Sequence, residues 1–195
     1  MSPIAQRLQA CLQGTAVLMG IGNRWRGDDA AGPEVIARLA GRAEVRCIDA
    51  GDAPERHLGE AAEGTPDGIL LVDAVDFGGC PGDVAVFGLE DLPARLGTTH
   101  DVPLSVLMGY LRAMAGADVL LLGIQPETTA FGDRISAAVD DAVGVVTDML
   151  VAQLGEGPPA GACTCLSGES LQPSNPVDST CSASHKGAAE GGRRR

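Results

Sequence analysis

Two adjacent carboxylates, Asp28 and Asp29, close the stretch Gly20-Ile21-Gly22-Asn23-Arg24-Trp25-Arg26-Gly27-Asp28-Asp29. The apolar run Ala16-Val17-Leu18-Met19 before it reads as a buried strand, and Ala30-Ala31-Gly32-Pro33-Glu34 after it opens an amphipathic helix. The acid pair therefore sits on a strand-to-helix loop. In an open α/β sheet that is the carboxyl edge, where ligands bind. Other segments send polar groups to the same edge. A second strand ends at Asp49, with Asp52 close behind, and the run Ile69-Leu70-Leu71-Val72 ends at Asp73, with Asp76 beyond. The loop before Pro103 carries His100 and Asp101, and the last strand ends at Gln125 and Glu127. So many carboxylates do not all ionise at close range unless a cation joins them. Two carboxylates and an imidazole form a reasonable metal-ligand set, with water filling the remaining positions.

Each residue also has a plainer reading. One of Asp28 and Asp29 suits capping of the helix at Pro33, which leaves the other to explain. Asn23 suits holding its loop through side-chain-to-backbone bonds. A lone loop histidine such as His100 is ordinarily just solvated. Trp25, the only tryptophan, is either a loop anchor or a contact for a partner. Asp73 is harder to set aside, because a carboxylate after four buried apolar residues is partly desolvated and needs a partner.

The glycines invite a nucleotide-binding reading that the rest of the stretch opposes. Trp25 stands where the dinucleotide fingerprint needs its third glycine, and the only lysine, Lys186, lies near the C-terminus. Two acids after the glycines also repel a pyrophosphate. Neither a G-x-S-x-G nucleophile elbow nor an H-E-x-x-H zinc helix is present.

These groups need elements to carry them. Residues 1–14 read as a short lead-in and 15–21 as the first strand. Pro33 falls in a first helical turn, where its missing N–H costs nothing, and Val35, Ile36, Leu39 and Ala40 keep helical spacing up to Gly41. Residues 45–48 read as a strand running into Asp49-Ala50-Gly51, and 54–62 as a short helix. The run 69–72, apolar at every position, suits a central parallel strand covered on both faces. After turn residues 78–83, residues 84–87 suit an antiparallel, hairpin-type edge. Leu104, Leu107, Met108 and Leu111 mark a helix opened by Pro103, and 119–124 the last strand. Ile135, Ala138, Val139, Ala142, Val143, Val146, Met149 and Leu150 then form the buried stripe of a long helix. The expected fold is α/β, a three-layer sandwich around a mostly parallel twisted sheet with one antiparallel edge strand. It occupies residues 1–155, and the Gly/Pro/Ser/Cys-containing stretch 156–195 is expected to be a disordered tail.

Composition narrows the class further. The 195 residues are 45% hydrophobic but only 3% aromatic, so the core must come from Val, Leu, Ile and Ala. The net charge of -12 belongs to residues 1–154, since the four acids and four bases of 155–195 cancel. Such a chain repels nucleic acid. No apolar run reaches the roughly 18 residues of a membrane span, and the N-terminus lacks a secretory apolar core, which makes the cytoplasm the default. The six cysteines include no C-x-x-C pair, and Cys11, Cys47 and Cys80 read as thiols of a reducing compartment. Cys163 and Cys165 are separated by one residue, not by the two to four of a structural zinc pair.

Five stretches taken in order resemble the maturation endopeptidases of nickel–iron hydrogenases: GIGNRWRGDDAAGP (20–33), IDAGDAPE (48–55), ILLVDAVDFGGCPGDV (69–84), TTHDVPL (98–104) and LLGIQPET (121–128). The wording around His100 and Gln125 is most similar to the branch serving formate-hydrogenlyase-type hydrogenases. The resemblance implies an aspartic-type, metal-directed peptidase that removes a C-terminal extension from the hydrogenase large-subunit precursor once nickel is inserted. The bound nickel would be the recognition mark. It implies Asp29, Asp73 and His100 as metal ligands, with Asp29 and Asp73 in the catalytic role, and Asp49 and Gly51 as substrate-binding residues. The family's Asp-Gly-Gly segment has Ala50 for its first glycine; at a positive φ that alanine would cost about 1 kcal/mol. The familiar Asp-Thr-Gly pair of aspartic peptidases is absent. Hydrolysis could run through a metal-polarised water or through a carboxylate general base. The nickel is expected to arrive with the substrate, so that the protein alone is largely metal-free, and a monomer is implied. A rival of another class is a non-catalytic nickel-binding chaperone or checkpoint; a nucleotide-binding regulatory domain is a second.

Overall fold

The computed structural model describes residues 3–92, 96 and 102–155. The backbone divides into two units, Met1–Cys163 and Thr164–Arg195, the second wholly outside the described residues. The expected tail 156–195 therefore also lies outside them.

The α-helices and strands among the described residues are α1 (Pro3–Cys11), β1 (Ala16–Ile21), α2 (Ala31–Leu39), β2 (Arg46–Gly51), α3 (Leu58–Ala62), β3 (Gly68–Ala74), β4 (Val84–Gly88), α4 (Leu104–Ala115), β5 (Asp118–Ile124) and α5 (Ala137–Leu154). The strands form one sheet in the order β2-β1-β3-β5-β4. The first four of that order run parallel, and β4 pairs antiparallel with β5. The expected α/β sandwich with a single antiparallel edge strand is thus observed.

Alternation along the strands explains the layers, since successive side chains point to opposite faces. Leu18, Leu70, Val72, Leu120 and Leu122 face the layer of α1, α2 and α5. Val17, Met19, Ile69, Leu71, Val119 and Leu121 face α3 and α4. Both faces are covered, which is why β1 and β3 are buried at every residue. Most of the stripe expected on the last helix is buried, at Val139, Ala142, Val143, Val146 and Leu150, while Ile135 precedes the helix and is half-buried, as are Ala138 and Met149.

Two local expectations need correction. Residues 1–14 are not a plain lead-in, because 3–11 form α1, which buries Leu8 and Cys11, and Leu12 just beyond it is buried too. Its Arg7 makes a two-point contact with Asp118, Nε–Oδ2 3.2 Å and Nη2–Oδ1 2.9 Å. Nor is the edge a hairpin. β4 follows β3 in the chain but pairs with β5, with α4 lying between β4 and β5 in sequence. An edge strand beside β5 saturates the free side of that strand, which a hairpin on β3 would have left open.

The strand order has a consequence for function. From β1 the chain crosses to β2 on one side, then returns to β3 on the other. The β1/β3 boundary is therefore the topological switch point, where the carboxyl ends of the strands leave a crevice.

Candidate active site

The two chain segments bounding that crevice carry Asp29 and Asp73. Asp73 is the sixth residue of β3 and is fully buried. Asp28 and Asp29 lie on a 3-10 turn, Gly27–Ala30, between β1 and α2, and both are fully buried. Glycine brings the turn and the strands together. A Cβ on Gly32 would lie 2.3 Å from the Ile21 carbonyl and 2.4 Å from that of Val72, the neighbour of Asp73. At Gly22, where φ is +138°, a Cβ would lie 1.8 Å from the Asp29 carbonyl. Only the missing side chains let the first turn of α2 seat on the ends of β1 and β3.

The adjacent acids divide their duties. Neither caps α2, whose N-cap is Ala30, without a side-chain bond. Asp28 accepts from the backbone N–H groups of Glu127 (2.7 Å), Thr128 (3.1 Å) and Ser136 (2.6 Å) and from the Ser136 hydroxyl (3.0 Å). Its own N–H donates to the Thr128 carbonyl at 2.9 Å. Asp28 thus fastens the β1–α2 loop to the β5–α5 loop. Asp29 instead accepts from the Asn23 N–H at 2.8 Å. Asn23 holds its loop as expected, accepting from the Trp25 N–H at 2.9 Å, and its amide also donates to Asp52 at 3.1 Å.

The other polar groups of the edge separate in the same way. Gln125 accepts from the Phe77 and Gly79 N–H groups, both at 3.0 Å, and donates to Asp76 at 3.0 Å. Gln125 and Asp76 therefore shape the loop after β3. Glu127 is exposed. Asp49 and Gly51 line a cleft of about 460 Å³ together with residues 22–25, Ala50 and Asp52. Asp49 accepts from Arg24 Nη2 at 2.9 Å and from the Gly51 N–H at 3.2 Å, and Arg24 also pairs with Glu34 at 2.7 Å. Arg24 was not singled out by residue type, yet an arginine amid so many acids is a readable signal. The strain considered at Ala50 is not found: Gly51 takes the positive φ, +55°, while Ala50 is a buried strand residue. His100 and Asp101 lie outside the described residues, and among the described residues no three His, Cys, Asp or Glu side chains cluster as a metal site. The described part of the site is two buried carboxylates at the switch point, beside a cleft open to solvent.

A doubly wound sheet with an acidic crevice at its switch point defines a class of ligand-handling α/β domains, and comparison with known proteins identifies the member. Residues 33–153 match the family model of the hydrogenase maturation proteases. The Hydrogenase 3 maturation protease of Escherichia coli K12 is 35% identical over 146 residues, covering 73% of this chain and 93% of that one. Among solved structures, the [NiFe] hydrogenase maturation protease HycI of Thermococcus kodakarensis superposes with a TM-score of 0.69 at 29% identity, over 76% of this chain and 98% of that one. The endopeptidase HycI of Escherichia coli gives 0.66 at 33% identity, over 75% and 96%. The chain belongs to the hydrogenase maturation protease family.

Proposed function

We propose that this protein removes the C-terminal extension of a nickel–iron hydrogenase large-subunit precursor after nickel insertion, and that the bound nickel is its recognition mark. The observation that supports the reading is that Asp29, on the turn after β1, and Asp73, near the end of β3, come from the two strands that flank the switch point, and both are fully buried. With His100 they form an oxygen, oxygen and nitrogen donor set of a type that divalent nickel accepts. The metal comes with the substrate and leaves with it, so the protein alone carries little. Asp29 and Asp73 grip the precursor's nickel, and that grip sets the scissile bond beside the site. Asp49 and Gly51, on the adjoining cleft, take the substrate chain. The enzyme acts as a cytoplasmic monomer and uses neither nucleic acid nor membrane as partner.

Intact-mass spectrometry of the precursor tests this. Loss of a defined C-terminal peptide from nickel-loaded precursor, and not from nickel-free precursor, is the expected result. A nickel-loaded precursor that binds yet keeps its full mass would replace the peptidase with the nickel-binding checkpoint.

A further inference from the structure

The chain holds one tryptophan, one tyrosine and three phenylalanines. Phe77 and Phe87 pack edge to face with centroids 5.8 Å apart. Trp25 and Phe131 do the opposite, 73% and 75% exposed. Trp25 is therefore no loop anchor. Its loop is held instead by the polar bonds of Asn23 and Asp28.

The two rings stand on loops that are hydrogen-bonded to each other. The Gly132 N–H, next to Phe131, donates to the Trp25 carbonyl at 2.8 Å. Three residues on from Trp25 is Asp28, whose bonds to Glu127, Thr128 and Ser136 tie the same two loops. The backbone beneath both rings is thus fixed while the rings stand in water. Large apolar surface held rigidly in solvent gains nothing from packing, but it lowers the ordering cost of binding a partner. Trp25 also lines the cleft beside Asp49–Asp52, and Asn23 in the same wall donates to Asp29. Trp25 thus reaches the cleft directly, and Phe131 joins it through the Gly132–Trp25 backbone bond. Aromatic residues, tryptophan above all, are enriched among the few contacts that dominate interface energies.

We propose that Trp25 and Phe131 form an aromatic clamp for an extended polypeptide segment bearing apolar side chains. On the reading above, on which this inference rests, that segment is the C-terminal region of the precursor. Because Trp25 is the sole tryptophan, full-length protein grown with 5-fluorotryptophan gives a single fluorine resonance that reports on it alone. Nickel-loaded precursor is expected to move that resonance. Trp25→Ala and Phe131→Ala are each expected to raise KM about tenfold, by more than they lower kcat. Trp25→Phe should recover most of the loss. Val145→Ala, at an exposed valine on α5, should match wild type. An unmoved resonance with unchanged KM in both alanine variants, while wild type still trims the precursor, overturns the clamp and leaves the peptidase standing. Wild type that neither binds nor trims the precursor overturns the peptidase, and the clamp with it. A resonance that moves with the protein's own concentration, precursor absent, makes the two rings a self-association surface and overturns the clamp.

Discussion

Asp28 and Asp29 are neighbours in the chain and equally buried, yet the first answers to residues 127, 128 and 136 and the second to Asn23. Residue type could not separate them, because the partners of Asp28 lie about a hundred positions away in sequence. What was legible was that a single cap could not account for both. Asp28→Ala strips three backbone N–H groups of their acceptor inside the protein, and should cost about 3 kcal/mol of stability, read from urea unfolding. The Cys11 thiol gives a second residue-scale prediction. Burial pushes it from an ordinary 9.0 up to about 12, with Asp118 adding to the shift. The folded state then favours the protonated thiol. Its contribution to stability is complete below pH 9.0 and is lost as the pH rises towards about 12. Melting temperature should fall less steeply across that alkaline range in Cys11→Ala than in wild type. In native protein, alkylation should label exposed Cys80 well before Cys11.

Among the elements, those with continuous apolar runs or a clean helical stripe were readable: β1, β3, β5, α4 and α5 lie where periodicity put them. Helix α1 was not, because Leu8, Cys11 and Leu12 amount to barely one turn of pattern, and its stability comes from packing and from the Arg7–Asp118 pair. The partner of β4 was unreadable for a related reason, since strand neighbours are set by packing of distant segments and not by strand composition. At the start of α5, the Ser136 hydroxyl accepts from the Val139 N–H at 3.4 Å as an N-cap and donates to Asp28. Ser136→Ala should therefore cost about 1–2 kcal/mol, more than a cap alone at its usual worth. Ala50→Gly distinguishes the turn seen here from one with a strained alanine. With Ala50 buried at ordinary φ, the change should destabilise by about 0.5–1 kcal/mol; a gain in stability would place the strain at Ala50 after all.

At the scale of the molecule, the doubly wound sheet brings the carboxyl ends of its four parallel strands to one edge, and among the many acids there Asp29 and Asp73 come from the two segments flanking the switch point. The crowd of carboxylates was legible in the sequence. Its sorting into loop fasteners (Asp28, Asp76), cleft walls (Asp49, Asp52) and crevice acids (Asp29, Asp73) needed the fold, because identical side chains differ only in what surrounds them. No helix among the described residues is long and apolar enough to cross a membrane. The central claim is that Asp73 serves the reaction and not the scaffold. The direct measurement is intact mass of nickel-loaded precursor after incubation with wild type and with Asp73→Asn, each variant first shown by thermal melting to be folded. The account predicts a folded Asp73→Asn protein that leaves the precursor at full length while wild type shortens it. A folded Asp73→Asn protein that trims the precursor at the wild-type rate would contradict it.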